Sequence, residues 1–243
     1  MEQVLSISRT DQLVLLTDRH ARLRFGVEFC SRLMPGPGEV LAAAAAAADR
    51  GAAFELVTPF VAEPDFKRIA VLLEHVAAKL GGLDLVVNDW GVYDFAAKLD
   101  LGDLTFGRVL NRKRSGAEFA NPEAAGLAAL PPDFFPTVSR TAADNSHFQQ
   151  FLVEKGFSAA EYDNTFAGFD LGPSKLKRYL HLPYVFVTTT RRCGPGSFYT
   201  SPERVQRGVH PGGCTEQCRG HIFKLDISSY DVEILLRGNT QFY

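Results

Sequence analysis

One helix and its two flanking strands constrain the fold more than any other stretch. In DFKRIAVLLEHVAAKL, opened by Pro64 and Asp65, the apolar residues Ile69, Leu72, Leu73, Val76 and Leu80 recur at helical spacing, and Gly81-Gly82 ends the run. Before it, Ala53 to Phe60 reads as a strand; after it, LDLVVND reads as a buried strand. A strand, a crossover helix and a second strand make a parallel pair, because a tight turn can join only antiparallel neighbours. The repeat of such units is therefore expected to build a parallel sheet covered by helices.

The same alternation extends along the chain. MEQVLSIS is a short strand, and Thr10 or Asp11 caps a helix over DQLVLLTDRHA. Leu23 to Phe29 is a strand ending at Cys30. MPGPG breaks the chain before an alanine-rich helix from Gly38 to Arg50, whose small side chains suit close packing on a sheet. VYDFAAKL is a short helix and LTFGRVLN a further strand. Arg112 to Pro136, with RKRSG and PPDFFP, reads as a long surface loop; NSHFQQFLVEKG then forms a helix capped by Asp144 or Asn145. FSAAEYDNT, PYVFVTTT and GHIFKLDISS are the later strands, and VEILLRGNTQFY closes the chain. These signals predict an α/β fold of the (β/α)8 TIM-barrel type, distorted or incomplete, as a single domain over residues 1–243. No GxGxxG follows a strand and no GxxxxGK[ST] occurs, so no nucleotide site is expected.

Composition excludes several classes of function. With 46% hydrophobic and 22% charged residues the chain can bury a substantial core. A formal net charge of −2 gives no electrostatic case for nucleic acid or an anionic membrane. The start, MEQVLSISRTDQLV, lacks the pattern of a signal peptide, and no apolar run reaches the roughly 18–20 residues that span a bilayer. A cytoplasmic protein with reduced thiols is the expectation, and there four cysteines speak for metal or catalysis before disulfides.

Three of those cysteines, Cys193, Cys214 and Cys218, fall in the Gly-rich loop 188–221, spaced Cys193-x20-Cys214-x3-Cys218; Cys30 lies far upstream. Thiolates suit zinc, copper(I) and iron–sulfur clusters. Structural zinc sites usually use two short knuckles, whereas here only one pair is close, an arrangement that suits a cluster inside an enzyme somewhat better than a zinc ribbon. Buried, incidental thiols are the competing reading. Gly194, Gly196, Gly212, Gly213 and Gly220 let the loop fold tightly, and Arg191, Arg192 and Arg219 offset thiolate charge or form a solvated basic loop. His210 and His221 are alternative ligands.

Sites of parallel α/β proteins lie at the C-terminal ends of strands. Asn88 and Asp89 follow LDLVV, and serve as substrate or acid–base groups, or in the case of Asp89 as a helix cap. Arg108, with Asn111 at the end of LTFGRVLN, holds a substrate carboxylate or pairs with a carboxylate of the scaffold. Asp163-Asn164 belongs to the same rim or to a turn. No Ser/His/Asp set and no base for a cysteine nucleophile can be assembled.

FGVEFCSRLMP, VVNDWGV, FGRVLN, the segment ending CTEQC, and LLRGNTQFY together resemble the collagenase-like U-32 peptidase family, in particular its UbiV-type members. The resemblance spans nearly the whole chain. It departs from those members in a longer gap between Cys193 and Cys214 and in an Ala/Pro-rich insert before Phe134. It implies a 4Fe–4S cluster held by Cys30, Cys193, Cys214 and Cys218, with zinc the alternative metal. It also implies oxygen-independent hydroxylation of a ubiquinone precursor, an aromatic small molecule, as one half of a heterodimer with a UbiU-type partner and with prephenate as oxygen donor. Relatives that hydroxylate RNA bases, and the peptidase activity in the family's name, define the alternatives. Catalytic residues are not implied, so Asn88, Asp89 and Arg108 stand as candidates only from their placement.

Overall fold

A computed structural model describes residues 2–99, 101–112, 131, 134, 140–164 and 172–183. The loop 188–221 with Cys193, Cys214 and Cys218, the strands expected over PYVFVTTT and GHIFKLDISS, the closing segment and most of the 112–136 loop lie outside the described residues. The chain divides into two compact units, with the boundary between Gly102 and Asp103.

The first unit is a four-stranded parallel sheet in sequential order: β1 (Gln3–Ile7), β2 (His20–Gly26), β3 (Ala53–Val57) and β4 (Asp84–Val87). α1 (Pro37–Ala48) packs on β2 and β3 and beside α2 (Glu63–Leu80), and α3 (Trp90–Ala96) follows β4. The core forms where Leu23, Phe25, Leu56 and Leu85, on one face of the strands, meet Val40, Ala43 and Ala47 of α1 and Ile69, Leu72, Leu73 and Val76 of α2. Burial of those apolar surfaces is the main driving force for docking the helices. α1 starts at Pro37 with Glu39 Oε2 accepting from the Gly36 N–H at 2.9 Å. α2 ends where Gly81 takes the left-handed conformation at φ 71°, as the Gly-Gly pair predicts.

The second unit has β5 (Leu104–Phe106), β6 (Phe157–Asp163) and β7 (Lys177–His181), again parallel and in sequential order. α4 (Ser146–Glu154) packs on β6. Its cap is Asn145, whose side chain accepts from the N–H groups of His147 and Phe148; Asp144 instead accepts from Thr141. Phe106 contacts Phe148 and Phe157 edge-on, joining helix to sheet.

Several boundaries differ from expectation. The segment after Thr10 is a 3-10 helix, Thr10–Leu15, and the chain is already in β2 at His20. Leu16 is extended, and a turn in which the Thr17 N–H donates to His20 Nδ1 and the His20 N–H to Thr17 O launches the strand. β2 ends at Gly26, not Phe29, so Cys30 lies four residues beyond it. Gly26 has φ 142°, and a Cβ there would stand 2.2 Å from the Val57 carbonyl oxygen. The strand expected over LTFGRVLN stops at Phe106, because the N–H groups of Leu110 and Asn111 both turn back onto Gly107 O. Leu80, expected on the buried face of α2, is 41% exposed in its last turn. β7 was not anticipated, since KRYLH carries three basic side chains in five residues.

Candidate functional site

In a parallel sheet every strand delivers its C-terminal end to the same edge. In the first unit that edge carries Cys30, Asn88 and Asp89. Cys30 is a free, half-buried thiol that begins a 3-10 turn, Ser31–Leu33, with its carbonyl accepting from the Leu33 N–H. Two side chains of α2 pin this turn. Ser31 Oγ donates to Asp65 Oδ2 at 2.7 Å, and the Arg68 guanidinium donates to Ser31 O. The preceding residues are tied to the next loop, where the Phe60 N–H donates to Glu28 O at 3.0 Å.

Asn88 is fully buried, and its Nδ2 donates to Thr58 O at 3.0 Å. Thr58 in turn donates through both N–H and Oγ1 to Val86 O. Asn88 thus fastens the loop after β3 to β4. Asp89 caps α3: Oδ1 accepts from the N–H groups of Gly91 and Val92 at 2.8 and 3.2 Å, and Oδ2 from Val61 at 3.4 Å. Beside it, Val61, Ala62, Glu63, Phe66, Lys67, Asp89 and Gly91 line a shallow open groove. Trp90, half exposed, stands edge-on to Tyr93 next to that groove.

The second unit gathers a different set. Arg108, on the turn after β5, pairs with Asp163 at the end of β6, Nη1 to Oδ1 at 2.8 Å, with side chains 12% and 8% exposed. Of the two roles expected for Arg108, pairing with a scaffold carboxylate is the one observed. Asn111 Nδ2 donates to Glu161 O at 2.8 Å, and its Oδ1 accepts from the Ala143 N–H, so Asn111 joins β6 to the 3-10 helix Ala142–Asp144. Glu161, buried to 1% exposure, accepts from the Arg108 N–H at 3.1 Å, and its Oε1 lies 2.9 Å from His181 Nε2.

Glu161 and His181 escaped the reading from sequence. One signal was present: in SAAEYD a glutamate alternates with the apolar positions of a buried strand, where a charge needs a partner. Behind the same strand, Tyr162 donates to Asp144 Oδ1 at 3.2 Å, and the Arg178 guanidinium lies 5.8 Å from its ring centre. Burial, and next the nearby Asp144 charge, push the Tyr162 hydroxyl up to about 12.

A soft thiol donor on a pinned turn at the C-terminal edge fits one ligand position of a four-thiolate centre. Cys30 is the one expected ligand among the described residues. No helix among the described residues is long and apolar enough to cross a membrane. Comparison with protein-family models, with curated protein sequences and with solved structures found no match.

Proposed function

We propose that the chain is an iron–sulfur protein of the U-32 type in which Cys30, Cys193, Cys214 and Cys218 hold a 4Fe–4S cluster. In this reading the two runs of parallel strands belong to one distorted or incomplete (β/α)8 barrel. The cluster supplies electron-transfer or Lewis-acid chemistry for oxygen-independent hydroxylation of a quinone precursor, with a UbiU-type partner completing the active unit. The observation that supports it is Cys30 itself. This thiol is half-buried, sits four residues past β2, and has its turn fixed by Asp65 and Arg68. A ligand that must meet three distant cysteines needs such a fixed backbone, because ordering it on binding would cost conformational entropy.

Anaerobic purification followed by iron and sulfide analysis and visible spectroscopy tests the proposal. The expected result is about four iron and four sulfide per chain with a broad absorption near the visible edge, lost in Cys30→Ser. Colourless protein with stoichiometric zinc would overturn it. Co-purification with a second U-32 chain, and accumulation of an unhydroxylated quinone precursor in cells lacking the protein under anaerobic growth, test the partner and the substrate class.

A further inference from the structure

On α2, Glu63 and Lys67 stand four residues apart in the order that favours an ion pair along a helix, yet neither forms an ion pair or hydrogen bond among the described residues. Asp94 and Lys98, with the same spacing and order and also exposed, do close, at 2.8 Å. Glu63 and Lys67 instead both line the groove at the C-terminal edge of the first sheet, whose volume of about 520 Å³ lies within the range of small-molecule sites. Asp89 is committed to the N–H groups of Gly91, Val92 and Val61, so Glu63 and Lys67 are the groove charges left to meet a ligand. Phe66 gives the groove an apolar wall, its ring held edge-on by Phe95 with centroids 6.0 Å apart. Gly91 has no left-handed backbone, and alanine is the better helix former, so neither property accounts for a glycine here. A Cβ at Gly91 would meet Phe66 Cε2 at 3.7 Å and Asp89 Oδ1 at 3.1 Å. The missing side chain therefore keeps open a space one methyl group deep beside the Phe66 ring. Trp90, 40% exposed and edge-on to Tyr93, adds a second aromatic surface next to it.

From this arrangement we infer that the groove binds a free aromatic α-amino acid, its ammonium on Glu63, its carboxylate on Lys67 and its ring against Phe66 and Gly91. The ammonium and carboxylate of an α-amino acid are close enough to bridge two side chains that neighbour one another on a helix. Both contacts are charge-assisted hydrogen bonds, and ring-on-ring packing adds to the apolar burial. An aromatic acid without the ammonium leaves Glu63 unmatched and repelled, and an aromatic amine without the carboxylate does the same to Lys67. The inference does not depend on the iron–sulfur proposal, since no cysteine lines the groove.

Trp90 is the single tryptophan of the chain, so its fluorescence reports on this groove directly. L-phenylalanine, added to the full-length protein, should change that fluorescence saturably, with isothermal titration calorimetry giving the same affinity. 3-Phenylpropanoate, which lacks the ammonium, and phenethylamine, which lacks the carboxylate, should each bind about tenfold more weakly or worse. Glu63→Gln and Lys67→Gln, both at exposed positions, should weaken L-phenylalanine binding to a similar extent. Gly91→Ala should weaken it as well, by filling the space beside Phe66, without lowering the thermal midpoint. Absence of saturable L-phenylalanine binding by both methods, equal or tighter binding of either analogue, or unchanged affinity in Glu63→Gln and Lys67→Gln would overturn the inference. If Gly91→Ala does not fold, the two surface variants and the analogue series decide.

Discussion

Arg24 on β2 and Glu55 on β3 are cross-strand partners, Nε to Oε2 at 2.6 Å, with both side chains 2% exposed. Arg22, two residues earlier, reaches Asp84 of β4 at 3.1 Å, so a polar ladder crosses three strands on one face. Removing one member of a buried pair strands the other charge away from water. Glu55→Gln should destabilise the protein by about 3–5 kcal/mol, seen as a lower urea midpoint at unchanged slope. Replacing both partners together, as Arg24→Met with Glu55→Leu, should cost much less. A single variant as stable as the parent would contradict this account.

Asp89 is both an expected site residue and the observed cap of α3, and the two roles separate by substitution. Asp89→Asn retains a side-chain oxygen for the Gly91 and Val92 N–H groups, whereas Asp89→Ala does not. Alanine should cost about 1 kcal/mol and asparagine only a few tenths. If asparagine abolishes function in cells while thermal denaturation shows stability preserved, the carboxylate has a chemical role besides capping.

Gly26 ends β2 in register with Val57 of β3. A methyl group there meets the Val57 carbonyl at 2.2 Å and a backbone at φ 142° that other residues avoid. Gly26→Ala should destabilise by at least about 2 kcal/mol, and, under the proposed iron–sulfur reading, shifting the chain entering Cys30 should also reduce iron content. Chemical denaturation measures the first effect and metal analysis the second.

Tyr162 gives stability a dependence on alkaline pH. Its folded-state value is raised from the usual 10 to about 12, so the fold favours the neutral phenol. The contribution is complete below pH 10 and is lost as pH rises from 10 towards 12, by up to roughly 2–3 kcal/mol. The difference in unfolding free energy between Tyr162→Phe and the parent, measured from pH 8 to 11, should change by that mechanism. A constant difference would show that the hydroxyl is not buried as described.

Periodicity made α2 and its neighbouring strands legible, because four of its five apolar repeats are buried against the sheet and only Leu80 is not. Gly81 and Asn145 were readable for a related reason: each does a local job that few other residues do as well. What escaped was decided by tertiary pairing. β7 exists because Tyr179 and His181 register against Glu161 and Asp163 of β6, and no local pattern in KRYLH announces a strand. The end of β5 at Phe106 likewise follows from a turn closing on Gly107, although LTFGRVLN is apolar enough to continue. For the site, strand ends predicted where polar groups would gather, but not their commitments. Asn88 proved to bind a backbone carbonyl and Arg108 a carboxylate, and neither choice is encoded in its neighbours in sequence.

Sequential strand order also sets how the molecule can be assembled. In the first unit each strand pairs with the one made immediately before it, so a chain leaving the ribosome finds every docking partner already synthesised. Each step closes a single crossover, which keeps its loop-closure entropy below that of pairing with a more distant strand, but parallel pairing across a crossover is still slower than closing a hairpin. The cost is that every intermediate ends in an unpaired strand edge until the next strand arrives, which makes a pause in translation between βα units the moment of greatest exposure to aggregation.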